Sequence, residues 1–111
     1  MQDLFTLKGR TALITGGSRG IGKMIAEGFL RHGAKVYISA RKAGPCEETA
    51  KELSRFGSCI ALPLDASGAD GAKKMAARYL EHEKSLDILV NNAGAAWGAD
   101  FDEFPRAAGT R

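Results

Sequence analysis

At 111 residues, with 44% hydrophobic and 26% charged side chains, the chain suits a single globular domain and has none of the bias of disordered, collagenous or disulfide-stapled sequences. No apolar run approaches the roughly 18 residues of a membrane span, and the start M-Q-D-L-F-T-L-K-G-R lacks the pattern of a signal peptide, so a cytoplasmic location and no membrane partner are expected. A net charge of +3 is spread over basic residues interleaved with acids rather than gathered in a stripe, which argues against a nucleic-acid partner.

Residues 11–15, T-A-L-I-T, have the β-branched, nearly continuous apolar character of a buried parallel strand. They run into G-G-S-R-G-I-G and then a helix, with Ile21, Met24, Ile25, Gly28 and Phe29 on the expected apolar face. His32 and Gly33 read as its end, the imidazole beside the negative helix terminus. A second strand is expected over 36–40. A helix over about 45–56 follows, with Pro45 near its first turn, Glu47 and Glu48 at its positive end and Gly57 as its stop. Residues 59–64 read as a third strand. Ser67 and Asp70 resemble a capping box opening a third helix whose apolar face is Ala72, Met75, Ala76, Tyr79 and Leu80. Residues 88–90 form the fourth strand, which ends at N-N-A-G, residues 91–94. Cys46 and Cys59 form no C-x-x-C pair and have no histidine at ligand spacing, so no metal site is expected; Cys59 reads as buried and Cys46 as an inert surface thiol.

Strands alternating with helices imply an α/β fold, a Rossmann-like doubly wound parallel sheet. Right-handed crossovers put the first two helices on one face and the third on the other, giving the strand order 3-2-1-4. The switch point then lies between strands one and four, where Gly16–Gly22 and Asn91–Gly94 meet above the carboxyl ends. The chain is expected to be one dinucleotide-binding domain, residues 1–111, cut off after the fourth strand. Glycines at 16, 20 and 22 remove the side chains that would block an anion from the first helical amides.

The ordered motifs T-G-G-S-R-G-I-G, Asp65 after the third strand and N-N-A-G after the fourth resemble the short-chain dehydrogenase/reductase family from about Gly9 to Trp97. The strings L-I-T-G-G-S-R-G-I-G and L-V-N-N-A-G-A-A-W-G are most similar to its rhamnolipid type of 3-oxoacyl-[acyl-carrier-protein] reductase. The resemblance implies that Gly16, Ser18, Arg19, Gly20, Ile21 and Gly22 form a pyrophosphate loop. It implies that Asp65 meets the adenine amino group, and that Asn92 and Gly94 lie along the nicotinamide-side ribose. Asn91 has two readings, in the same segment or as a tie between strand ends. Asp65 likewise reads either as a cofactor contact or as a turn acid before Ser67.

Charge decides which nicotinamide cofactor is expected. An NAD enzyme places Asp or Glu about 20 residues beyond the glycines to accept from the ribose 2′-hydroxyl. Here that slot is Ala40, followed by Arg41 and Lys42, with Arg19 in the glycine loop near the same corner. Guanidinium groups favour a 2′-phosphate, so NADP (NADPH) is the expected cofactor. The resemblance implies carbonyl reduction by hydride transfer, acting on an acyl thioester in the full-length protein, with a serine and a Y-x-x-x-K performing it. Neither tyrosine fits: Tyr37 is followed four residues on by Arg41, and Tyr79 by Glu83. No catalytic residue is assigned, and the chain alone is expected to be inactive. A non-catalytic nucleotide-binding or interaction protein is the alternative, and a homo-oligomer is left open. With no partner for the outer edge of the fourth strand, the chain is also expected to be marginally stable and prone to association.

Overall fold

A computed structural model of the chain describes residues 6–92. In chain order it contains β1 (Thr11–Thr15), α1 (Gly20–Arg31), β2 (Lys35–Ala40), α2 (Ala43–Leu53), β3 (Cys59–Pro63), α3 (Gly68–Leu80) and β4 (Ile88–Asn91). All pairings are parallel and the strand order is β3-β2-β1-β4, as the crossover argument expects. The register sets Thr15 beside Ser39 on one side and beside Asn91 on the other, so the carboxyl ends of three strands finish level.

Strand alternation divides the core in two. Ala12, Ile14, Val36 and Ile38 point to one face and pack with Ala26 and Leu30 of α1 and Cys46, Ala50 and Leu53 of α2. Leu13, Tyr37 and Leu62 point to the other and pack with Ala72, Met75, Ala76 and Tyr79 of α3. The period of two along each strand thus assigns every side chain to one helical layer. Among the described residues β4 has β1 as its sole strand neighbour, and Ile88, Leu89 and Val90 are only partly covered.

Local details differ from the sequence expectation for physical reasons. On α1, Gly22, Ala26 and Leu30 are buried, whereas Ile21 and Met24 are 69% and 72% exposed. Gly22 must be the residue nearest the strand end because a Cβ there would overlap the Gly16 carbonyl oxygen. That contact fixes the rotation of the helix and turns Ile21 and Met24 outward. The second helix starts at Ala43 rather than Pro45 and ends at Leu53, so Glu47 and Glu48 fall beyond its first turn. Cys46, Thr49, Ala50 and Leu53 then line its buried side. Cys46 is therefore a core residue and not a surface thiol, with its Sγ 3.5 Å from the Ile38 carbonyl oxygen. Burial pushes the Cys46 thiol up and the Cys59 thiol up to about 12, which leaves both unreactive. Leu80 is more exposed than expected, while Tyr79 beside it is fully buried, its hydroxyl donating to the Ser85 carbonyl at 2.6 Å. His32 behaves as expected, its Nδ1 2.7 Å from the Gly28 carbonyl at the end of α1.

Candidate functional site

The turn between β1 and α1 is held from three sides. Gly16 and Gly17 N–H groups both donate to the Ser39 carbonyl of β2, at 2.8 and 3.2 Å. The Thr49 hydroxyl of α2 donates to the Ser18 carbonyl at 2.8 Å. Asn92, just past β4, donates its Nδ2 to the Gly16 carbonyl at 3.2 Å. Gly16 and Gly20 have φ of +68° and +63°, a backbone region that strains any L side chain. Asn91 has a different task, its Oδ1 accepting from the Thr15 hydroxyl at 3.0 Å across the β1–β4 pair. The two asparagines thus tie the strand ends and the turn together, which is the tying role read for Asn91.

The helix that leaves this turn begins with Arg19 in an extended conformation as its N-cap. No side chain caps it and its first turn holds no acid. The amides of Gly20, Ile21 and Gly22 precede the first intrahelical bond, in which the Lys23 N–H donates to the Arg19 carbonyl at 3.4 Å. Amides at a helix start, backed by the helix dipole and freed of side chains, suit a phosphate group. The Gly20 Cβ direction is open, with nothing within 4 Å, so a pyrophosphate can approach these amides. Gly22 instead lets the helix start sit against the turn, where a Cβ would overlap the Gly16 carbonyl oxygen and lie 2.8 Å from Asn92 Nδ2.

A cationic corner flanks the turn. Arg19, Arg41 and Lys42 are all exposed, the latter two directly after β2. Asp65, exposed beyond β3, accepts from the Ser67 hydroxyl at 2.7 Å and the Ser67 N–H at 3.0 Å. Those bonds, with the nearby Arg41 charge, hold its carboxyl below the usual carboxylate range. Ser67 is the N-cap of α3 in position, yet its hydroxyl turns back to Asp65, so the expected capping box does not form. Asp65 takes the turn-acid arrangement seen as one of its two readings, with its other carboxylate oxygen outside that turn. Gly94 and Trp97 lie outside the described residues.

The profile described as short chain dehydrogenase matches residues 10–111. The chain belongs to the short-chain dehydrogenase family. It is 52% identical over 105 residues to the rhamnolipids biosynthesis 3-oxoacyl-[acyl-carrier-protein] reductase of Pseudomonas aeruginosa, covering 95% of this chain and 41% of that protein. Gluconate 5-dehydrogenase of Gluconobacter oxydans is 35% identical over 94% of this chain and 41% of its own length. Among solved structures, the Pseudomonas aeruginosa RhlG/NADP active-site complex superposes with a TM-score of 0.78 at 50% identity, covering 90% of this chain and 40% of that one. L-sorbose reductase from Gluconobacter frateurii, complexed with NADPH and L-sorbose, superposes with a TM-score of 0.75 at 36% identity, over 81% of this chain and 35% of that one. The chain therefore spans about two-fifths of the length of these relatives.

Within this short-chain dehydrogenase fold, three residues of the site region carry weight that sequence reading misses. A Cβ on Gly17 would sit 2.7 Å from Ile38 Cγ2, so this glycine is required by packing although it lies outside the G-x-x-x-G-x-G pattern. Gly71 lets α3 start against Ala66, whose carbonyl carbon would be 2.6 Å from a Cβ. Thr49 reads as one more residue of a polar helix, and only its burial together with the Ser18 contact reveals it. Its spacing from Cys46 and Leu53, three before and four after, is the one sequence signal of an inward position. Among the described residues no helix is long and apolar enough to cross a membrane, and no group of His, Cys, Asp and Glu could hold a metal ion.

Proposed function

We propose that these residues are the NADP(H)-binding portion of an oxidoreductase that reduces a carbonyl to an alcohol, with a 3-oxoacyl thioester as the substrate class. The observation that carries the proposal is the meeting of the uncapped α1 start, the Asn92-braced glycine turn and the Arg19–Arg41–Lys42 corner at one end of the sheet. The relatives complexed with NADP and NADPH support the cofactor, and the 52% identity to a 3-oxoacyl-[acyl-carrier-protein] reductase supports the substrate class.

In this reading the amides of Gly20, Ile21 and Gly22, with Ser18, hold the pyrophosphate. Arg41 and Arg19 hold the 2′-phosphate, where each charge-assisted hydrogen bond contributes about 1.5–3 kcal/mol. Asp65, kept ionised by Ser67, offers its remaining acceptor to the adenine amino group, and Asn92 and Gly94 line the path of the nicotinamide-side ribose. When bound, NADPH supplies the hydride for carbonyl reduction. The chain's own residues orient it and shield its charge.

No Y-x-x-x-K occurs in these 111 residues, so binding rather than turnover is the property to measure on them. Titration of the chain with NADPH and NADH, read by nicotinamide fluorescence or calorimetry, should show NADPH binding at least about tenfold tighter. Binding of neither nucleotide overturns the proposal, and equal affinities overturn the NADP assignment.

A further inference from the structure

We infer that Thr49, which contacts no part of the glycine motif in sequence, is a positioning residue for the pyrophosphate amides, an inference that rests on the cofactor reading above. Thr49 is 6% exposed and lies on the buried side of α2. Its hydroxyl donates to the Ser18 carbonyl at 2.8 Å. The peptide bond between Ser18 and Arg19 is trans, as are all the described peptide bonds, so the Arg19 N–H points opposite to the Ser18 C=O. Pulling that carbonyl toward α2 therefore turns the Arg19 amide, which leads into the first amides of α1, away from α2.

Two further contacts make α2 a strut rather than a bystander. Lys23, in the first turns of α1, pairs with Glu52 of α2 at 2.9 Å, one helical turn beyond Thr49. The Cys46 thiol lies against the Ile38 carbonyl one turn before it, seating the helix on β2. The same helix begins directly after Arg41 and Lys42. One rigid element thus fixes the spacing between the amides that face a pyrophosphate and the cations that face a 2′-phosphate. Lys23–Glu52 is exposed and contributes little energy. The Thr49 bond is the specific part, because it acts on a carbonyl whose direction sets the amide next to it.

The test compares the chain with Thr49→Val, which keeps the shape and removes the hydroxyl, and Thr49→Ser, which keeps the hydroxyl. Thr49→Val should bind NADPH about tenfold more weakly, while Thr49→Ser binds within about twofold of the unsubstituted chain. Hydrogen exchange on the nucleotide-free chain gives a second readout: amides 19–22 should exchange faster in Thr49→Val and those of α2 should not. Equal NADPH affinity in Thr49→Val overturns the inference, as does a loss that Thr49→Ser shares. Unchanged exchange at 19–22, with NADPH binding intact, overturns the tether alone. If the unsubstituted chain binds no NADPH, the cofactor reading falls and the positioning role falls with it.

Discussion

Asn92 reaches back 76 positions to donate to the Gly16 carbonyl, and its Nδ2 occupies the space beside Gly22 that any Cβ there would need. One amide group thus links the end of β4 to both ends of the glycine turn. Thr15 and Asn91 make the neighbouring tie between the strands themselves. The switch point of the sheet is therefore a cross-braced corner, built from residues that sequence separation keeps apart and strand order 3-2-1-4 brings together.

Removing that brace should loosen the turn without unfolding the sheet. Asn92 is exposed, so the hydrogen bond itself contributes about 0.5–1.5 kcal/mol. Asn92→Ala is expected to lower the melting temperature by only a few degrees and to weaken NADPH binding by roughly three- to tenfold. A nucleotide titration and a thermal melt on the same protein separate the two effects. A large stability loss with unchanged affinity would assign Asn92 to the fold and not to the site.

The glycines should divide sharply by what surrounds them. Gly22→Ala drives a Cβ into backbone, at the Gly16 carbonyl, and neither partner can rotate away. A cost of about 2 kcal/mol or more is expected, with loss of nucleotide binding. Gly17→Ala meets the Ile38 side chain and should cost about 1–3 kcal/mol. Gly28 lies inside α1 with nothing within 4 Å of its Cβ direction and no positive φ, so Gly28→Ala should stabilise the chain by about 0.5–1 kcal/mol. Denaturant melts of the three variants rank them, and an order with Gly28→Ala least stable would contradict the packing account.

The sequence displays what depends on pattern and hides what depends on rotation. Alternating strand and helix signals, the handedness rule and the placement of N-N-A-G suffice for the sheet order and for the meeting of Asn91 and Asn92 with the glycine turn. They also place Tyr79 on a core face and His32 at a helix end. Ile21, Met24 and Cys46 show the limit. Ile21 and Met24 fit the apolar face read for α1 and Cys46 reads as a surface thiol, but a contact between distant backbones, Gly22 against Gly16, turns the first two outward, and a helix starting two residues early at Ala43 buries the third. Ser67 shows the same limit at shorter range, because its hydroxyl donates to Asp65 and caps no amide of the helix start. Thr49 left almost no trace, since a hydroxyl that holds a carbonyl 31 positions away has no local signature.

Cofactor preference should follow the sign of the charge after β2. Arg41→Asp places a carboxylate where the 2′-phosphate is proposed to sit and where Asp65 already feels the Arg41 charge. Losing one charge-assisted bond and adding repulsion should weaken NADPH binding by about 10- to 100-fold and leave NADH binding within a few fold. Paired titrations at one fixed ionic strength check this, because exposed charges are screened by salt. Parallel losses for both nucleotides would move Arg41 out of the 2′-phosphate site.

At the opposite end of the sheet, Glu83 should make the chain's stability depend on pH from both sides. Its carboxylate accepts from the Tyr37 hydroxyl at 2.5 Å and pairs with Lys35 Nζ at 2.6 Å, clamping the segment after α3 to the start of β2. Burial alone would raise the Glu83 carboxyl, but the bonds from Lys35 and Tyr37 outweigh it and leave it below the ordinary 4.5. A lowered carboxyl contributes stability that is present above its unfolded value and is lost as pH falls through the folded one. The acid loss therefore lies below about pH 4.5. On the alkaline side, the Glu83 bond raises Lys35 above 10.5, and burial followed by the same carboxylate raises Tyr37 above 10.0. Raised groups contribute stability present below their unfolded values and lost as pH climbs through the folded ones. Glu83→Gln should flatten the acid limb and remove the Lys35 part of the alkaline one, since a neutral amide neither titrates nor holds Lys35 charged, while the part that burial gives Tyr37 remains; it should lower stability most near neutral pH. Melting temperatures from about pH 3 to pH 11 for both proteins check the sign on each side. An acid limb of equal slope in Glu83→Gln would show that another carboxylate, Asp65 first, carries the pH dependence.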